Sequence, residues 1–167
     1  MKGLHEKIEA HPHVKVPRAL AYVSEKNFLL TEGLGGTPFI ELMRPPDRQS
    51  SIIKAAGALA VLHQLIDVEV ASRSSKDLMS DAVATGETAK QIVPELAGNI
   101  QSILNKLHQL NSSAGQEKPC FVHGDFHCGQ MLIQDSITAV LDFDRSFLGE
   151  PLVDVGNFCA YLYILGR

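Results

Sequence analysis

Tryptophan is absent from these 167 residues, and aromatic residues of all kinds make up only 6%. Cysteine is scarce as well. Cys120, Cys128 and Cys159 are an odd set at no framework spacing, which excludes a disulfide-stapled scaffold and favours a reducing compartment. No apolar run approaches the roughly 20 residues that a membrane helix needs. The longest runs only from Phe158 to Leu165. The opening Met-Lys-Gly-Leu-His-Glu-Lys has no apolar signal core. Positive charge is not in excess: the net charge is -4, the pI is near 5.9 and no basic patch is visible, so nucleic acid is not the expected partner. Internal repeats and low-complexity tracts are missing too. What remains is a globular composition, 45% hydrophobic and 20% charged, long enough to bury one core of ordinary size. A cytoplasmic protein without membrane attachment is expected.

Residues 2–10 read as a short amphipathic helix that His11-Pro12-His13 breaks. Val14 to Val16, Ala19 to Val23 and Phe28 to Thr31 read as strands, the last two joined into a hairpin by Ser24-Glu-Lys-Asn27. Glu32 to Pro38 is glycine-rich and without period, and reads as a hinge. Beyond it the pattern becomes helical. Asp47 or Ser50 is placed to cap a helix in which Ile52, Ile53, Ala56, Leu59, Ala60, Leu62, His63 and Ile66 recur at three and four. Asp67 to Lys76 reads as a polar loop and Asp77 to Val93 as a second helix, weakened by Gly86. Pro94 suits the first turn of a third, which carries Leu96, Ile100, Ile103, Leu104, Leu107 and Leu110. Asn111 to Lys118 reads as a linker, Arg145 to Pro151 as a loop, and a last helix begins near Leu152. Segregated strands and helices predict an α+β fold.

Polar and ionisable residues concentrate in one place. Between the apolar Phe121-Val122 and Met131-Leu132-Ile133 lie His123, Asp125, His127, Cys128 and Gln130. A further apolar strand, Thr138 to Leu141, runs into Asp142 and Asp144. Turn formation accounts for Gly124 and Gly129, but not for three carboxylates and an amide together. Phosphoryl transfer needs a carboxylate to accept the proton of the attacking hydroxyl, and oxygen ligands for Mg²⁺. His123-x-Asp125-x4-Gln130, then a strand ending in Asp-Phe-Asp, supplies both. Four zinc-type ligands, Cys120, His123, His127 and Cys128, also stand close in sequence. A strand turns alternate residues to opposite faces, however, and this spacing fits no standard finger.

His123-Gly-Asp-Phe-His-Cys-Gly-Gln-Met-Leu132, Leu141-Asp-Phe-Asp144 and Gly149-Glu-Pro-Leu-Val-Asp154 together resemble the aminoglycoside phosphotransferase and choline kinase family, small-molecule kinases with a protein-kinase-like fold. Leu29-Leu-Thr-Glu-Gly-Leu34 is similar to that family's last N-lobe strand and hinge, and Ala58-Leu-Ala-Val-Leu-His63 to its helix ending in Leu-His. The resemblance spans roughly Val16 to Tyr161. It implies a phosphotransferase that uses ATP (or GTP) and Mg²⁺ to modify a hydroxyl of an aminoglycoside, a sugar or an amino alcohol. Asp125 matches the catalytic base and Asp142 the metal-binding aspartate. Gln130 stands where the family usually has a metal-binding Asn, a variant similar to maltokinase-like members that favours a sugar or polyol. Asp144 is expected to be a second metal contact or an ion-pair partner of Arg145 or of a lysine. Glu32 and Leu34 match hinge positions whose backbone pairs with adenine. Asp154 matches a structural aspartate that ties down the catalytic loop. His123 is expected to be structural as well, His127 to lie behind the site or in solvent, and His63 to cap its helix or fill the core.

The resemblance further implies a partial N-lobe over residues 1–34 and a C-lobe, incomplete at its end, over 35–167. A glycine-rich phosphate loop, a strand lysine and its glutamate partner are expected before residue 1, and acceptor-pocket helices after Arg167. Gly33-Leu-Gly-Gly36 is not that loop, because it follows the wrong strand and opens no helix. The alternative function is therefore a non-catalytic kinase remnant. A sheet edge left without its neighbours is expected to promote self-association.

Overall fold

Residues 19–31 do form the expected hairpin, and the connector after it carries more structure than its composition suggests. A computed structural model describes residues 2–113 and 118–166. In chain order the elements are α1 (Lys2–Ile8), β1 (Val14–Lys15), β2 (Ala19–Val23), β3 (Phe28–Thr31), β4 (Thr37–Pro38), α2 (Arg48–His63), α3 (Ser75–Ile92), α4 (Ala97–Ser113), β5 (Cys120–Val122), β6 (Met131–Gln134), β7 (Ile137–Val140), β8 (Phe147–Gly149) and α5 (Leu152–Leu165).

Strands β2 and β3 pair antiparallel, closed by Asn27 in the left-handed region at φ 48°, where Asn is readily tolerated. The connector, expected to be featureless, contains β4, which pairs with β6. The resulting sheet has the order β1-β7-β6-β4, with β1 parallel to β7 and the other pairs antiparallel. The loop expected over Arg145 to Pro151 likewise contains β8, antiparallel to β5. Two- and three-residue strands carry no readable period, so only their partners reveal them.

The core joins distant segments. Leu4 and Ile8 of α1, Val14, Val16, Phe39, Leu62 of α2, Phe121, Phe126 and Phe158 of α5 belong to one buried cluster. Each large side chain so buried contributes roughly 1.5–3 kcal/mol. Phe158 meets Phe39 at 5.7 Å and Phe126 at 5.5 Å, edge to face, which fastens α5 onto the loop after β5. The chain up to Val16 thus shares one core with the helices and strands beyond the connector. The β2–β3 hairpin stands off, with every residue from Leu20 to Leu30 exposed, and it carries the uncovered edge expected from the sequence.

The helices differ from expectation in what they bury. Asp47 occupies the N-cap position of α2 but makes no capping bond, and Ser50 lies inside the helix. The buried face of α2 is Ser51, Ala55, Ala58, Leu59 and Leu62, while Ile53 and Ile66 face solvent. α3 starts two residues before the expected Asp77, because Ser74 and Asp77 form a reciprocal capping box. Gly86 permits close packing of α3 on α4, since a Cβ there would lie 2.8 Å from Leu104 Cδ1. Leu104 is buried, but Ile103, Leu107 and Leu110 on α4 remain exposed, as does Leu96, which lies in the 3-10 turn Pro94–Leu96 just before it. Asn111, expected in a linker, extends α4; residues 114–117 of that linker lie outside the described residues. Among the described residues no helix is long and apolar enough to cross a membrane.

Candidate active site

The loop between β5 and β6 is fixed by a carboxylate from α5. Asp154 is fully buried. Its Oδ2 accepts the His123 N–H at 2.8 Å and the His63 Nε2–H at 3.1 Å, and its Oδ1 accepts the Gly124 N–H at 2.9 Å. A buried carboxylate is tolerable only when its lone pairs are filled in this way. Asn157, three residues further along α5, donates to the Gly124 carbonyl at 3.3 Å. Gly124 itself adopts φ 81°, and a Cβ there would lie 2.3 Å from the Arg145 carbonyl oxygen, so no other residue fits without rearrangement. The structural role expected of Asp154 is visible in these contacts.

His123 is a buried strut. Its Nε2–H donates to the Leu141 carbonyl at 2.8 Å, while its Nδ1 accepts the Asp125 N–H at 3.3 Å. That pattern defines a neutral ring with its proton on Nε2. Burial holds the imidazole below its ordinary pKa, against the opposing pull of the Leu141 carbonyl and of Asp154, Asp125 and Asp142. The ring packs on Phe143 at 4.6 Å and on Phe126 at 5.9 Å. His123 thereby links the Asp125 loop to the Asp142 loop.

The Asp-Phe-Asp segment follows β7. Phe143 points inward against Phe121 and His123, which leaves Asp142 and Asp144 exposed on either side. Asp142 sits at φ 61°, a left-handed conformation that Asp tolerates better than most residues. Its Oδ2 accepts from Gln130 Nε2 at 3.1 Å, and the Gln130 carbonyl accepts the Leu141 N–H at 2.9 Å. Asp144 has its pKa raised, first by a hydrogen bond shared with Asp142, then by burial and by the charges of Asp142 and Asp125, against the pull of Arg145. Of the two roles expected for Asp144, the ion pair does not form: among the described residues neither Arg145 nor a lysine pairs with it, and its neighbour is the Asp142 carboxylate instead. Carboxylates this close repel, and a proton or a cation between them relieves the repulsion. Because the folded-state pKa of Asp144 is raised, the penalty exists above that value and disappears as pH falls through it. Asp144→Asn in chelator-treated buffer is therefore expected to melt above the parent near neutral pH, with the gap closing on acidification. Thermal scans of both proteins across pH check this, and a gap that widens in acid contradicts it.

A cavity of about 420 Å³ opens beside this segment. Leu29, Leu34, Leu132 and Leu141 supply apolar lining, and Glu32, Asp142 and Asp144 bring carboxylates to it. Both hinge residues singled out from the sequence therefore line one space with two of the carboxylates. The Glu32 N–H is already bonded to the Arg18 carbonyl at 2.9 Å, and the Glu32 side chain accepts the Arg18 N–H at 3.2 Å. What the Glu32 backbone offers a ligand is its carbonyl. Asp125 is half-buried at the edge of the site, outside the cavity lining, with its Oδ1 3.8 Å from His127 Nε2.

The zinc arrangement does not form. Both ring nitrogens of His123 are engaged, and among the described residues no three His, Cys, Asp or Glu converge on a metal position. Burial raises the thiol pKa of Cys120 and Cys128, so neither is a ready thiolate. Sequence reasoning missed Asn157 and Tyr161, which stacks on His127 at 4.2 Å. Their spacing from Asp154, three and seven, is the one available signal: all three share a face of α5.

Residues 3–166 match the phosphotransferase enzyme family. An N-acetylmuramate/N-acetylglucosamine kinase of Pseudomonas aeruginosa is 27% identical over 151 residues, covering 85% of this chain and 43% of that protein. The chain thus spans less than half the length of that curated relative. Among solved structures, a thermostable mutant of the aminoglycoside phosphotransferase APH(4)-Ia, in a ternary complex with ADP and hygromycin B, superposes with a TM-score of 0.72 at 14% identity, over 93% of this chain and 58% of that one. A choline/ethanolamine kinase family protein from Mesorhizobium loti gives a TM-score of 0.71 at 14% identity, over 97% of this chain and 55% of that one. These likenesses show an α+β, protein-kinase-like fold. With the family match running almost end to end, this chain belongs to the phosphotransferase enzyme family.

Proposed function

We propose that this chain serves ATP-dependent phosphoryl transfer (GTP being the alternative donor) to a hydroxyl of a small molecule. The observation that carries the reading is the continuous cavity running from Glu32 and Leu34 to Asp142 and Asp144. Its size suits a cofactor site, and its apolar walls suit a flat base. In this reading the hairpin and the connector up to residue 34 form an N-lobe wall, and the remainder forms the C-lobe. The Glu32 carbonyl and the Leu34 backbone meet adenine, and the phosphates point toward the carboxylates. A sugar or amino sugar is the favoured acceptor class, in line with Gln130 and with the name of the curated relative; an aminoglycoside or an amino alcohol is the alternative. The reaction suits the cytoplasm, where unpaired Cys120, Cys128 and Cys159 stay reduced.

The donor set formed by Asp142, Asp144 and Gln130 fits Mg²⁺. Asp142 and Asp144 offer carboxylate oxygens and Gln130 an amide oxygen, with no sulfur or imidazole among them. Mg²⁺ held there would neutralise charge on the phosphates. Gln130 now faces Asp142 with its nitrogen, so presenting oxygen requires its amide to flip. Asp125 takes the acceptor hydroxyl proton as that oxygen bonds to the γ-phosphorus and the bond to the departing nucleoside diphosphate breaks.

A non-catalytic binding protein is the second reading. It is favoured by one observation: among the described residues, no lysine or arginine lines this cavity. Calorimetry with Mg-ATP separates the two. The enzyme reading expects a dissociation constant on the order of micromolar, and a loss of roughly tenfold or more in Asp142→Asn, since altering the surroundings of a metal commonly costs that much. Binding only at millimolar nucleotide, or binding indifferent to Asp142, contradicts the enzyme reading.

A further inference from the structure

Asp125 is pinned through its backbone, but its side chain needs a second restraint. The Asp125 N–H is bonded to His123 Nδ1, yet the carboxylate is 30% exposed. Among the described residues, the basic side chain that approaches it is His127, whose Nε2 lies 3.8 Å from Oδ1.

The His127 ring is itself tightly placed. The Gly129 N–H donates to its Nδ1 at 3.0 Å, so the neutral ring carries its proton on Nε2, the nitrogen that faces Asp125. Gly129 leaves room for the ring, because a Cβ there would lie 2.8 Å from His127 Cε1. Tyr161 of α5 stacks on the imidazole with ring centroids 4.2 Å apart and planes 15° from parallel. One face of α5 therefore holds the loop at three levels. Asp154 binds the His123 and Gly124 N–H groups, Asn157 binds the Gly124 carbonyl, and Tyr161 meets His127. Residues three and seven apart on a helix point the same way, so these contacts are aligned with the loop they restrain.

We infer that His127 is a positioning residue for Asp125, and that Tyr161 holds it in that role. The inference rests on the proposed reading of Asp125 as the base. Once the Nε2–H closes the 3.8 Å gap to Oδ1, it selects one rotamer of the carboxylate and leaves Oδ2 to accept the acceptor proton. In the free chain the separation is longer than a hydrogen bond, as is common for catalytic contacts that tighten once substrate excludes water.

Three variants of the full chain test this. His127→Phe keeps a ring for Tyr161 but lacks the N–H. His127→Gln returns an N–H near the Nε2 position. Tyr161→Leu, at a residue 41% exposed, removes the stack with little threat to folding. NMR couplings that report χ1 of Asp125 are expected to show one rotamer in the parent and in His127→Gln, and averaging in His127→Phe and Tyr161→Leu. Turnover in His127→Phe is expected to fall by about 10²-fold, the size of effect that a small misplacement of a reacting group produces. KM for the nucleotide stays unchanged, Gln restores most of the rate, and adding His127→Phe to Asp125→Asn brings no further loss. A single Asp125 rotamer in His127→Phe overturns the proposal whatever the turnover. So does a further loss of the same size in the Asp125→Asn background. Rotamer averaging combined with full turnover in Asp125→Asn supports His127 as the restraint and removes the base assignment instead, so the two failures are distinguishable.

Discussion

Asp154→Ala is expected to lower the stability of the chain by about 3 kcal/mol and to free the segment from His123 to Asp125. The estimate comes from two backbone donors. Each loses a bond to a charged acceptor worth roughly 1.5–3 kcal/mol, offset in part because a buried charge is removed as well. The His63 ring loses its partner at the same time. Against a total stability of roughly 5–15 kcal/mol this is a large fraction. The effect is local in origin. His123 and Asp154 are both fully buried, so truncation leaves the His123 N–H in the interior without the acceptor that held it. Urea denaturation measures the energy, and hydrogen exchange at the His123 and Gly124 amides measures the release. A change below about 1 kcal/mol with both amides still protected would mean that Asn157 and the aromatic packing alone hold the loop.

The same residues show how far the sequence could be read. Asp125, Gln130, Asp142 and Asp144 were legible because each sits at a fixed short distance from a strand end, and strands β5, β6 and β7 announce themselves as apolar runs. The hairpin of β2 and β3 was legible for the same reason, with Asn27 marking its turn. Strands β4 and β8 were not, since Thr37–Pro38 and Phe147–Gly149 are too short to show a period and exist through pairing with β6 and β5. Helix α4 was legible as a helix from Ile100 to Leu110, but its apolar stripe said nothing about burial, and most of it is exposed. Amphipathicity reports what a helix is able to bury, and a partner decides whether it does. Ser74-x-x-Asp77 was readable as a capping box, and reading it would have set the start of α3 correctly. The contact of His127 with Tyr161 was beyond reach, because 34 positions of chain separate them and no local rule spans that distance.

Asp125→Asn is expected to reduce turnover by roughly 10²–10⁴-fold, the usual contribution of a general base, while leaving Mg-ATP binding within about twofold of the parent. The geometry explains why the two properties separate. Asp125 lies outside the cavity lining, whereas Asp142 and Asp144 lie within it. The amide of asparagine matches the carboxylate in shape, and the backbone N–H that holds position 125 to His123 is untouched. What asparagine lacks is a basic oxygen that can take a proton from the acceptor hydroxyl. The phosphoryl-transfer transition state is loose, with little nucleophile bonding, so part of the rate survives on positioning alone and the loss is not total. An assay of nucleoside diphosphate release with an amino-sugar acceptor, run beside calorimetry, reads both quantities. Retention of more than about a tenth of the parent turnover is too small a loss for a general base. Loss of nucleotide binding in the same variant would instead move Asp125 into the metal set with Asp142. The contrast between Asp125→Asn, which spares binding, and Asp142→Asn, which does not, therefore assigns the two carboxylates separately, although their charges both act on Asp144.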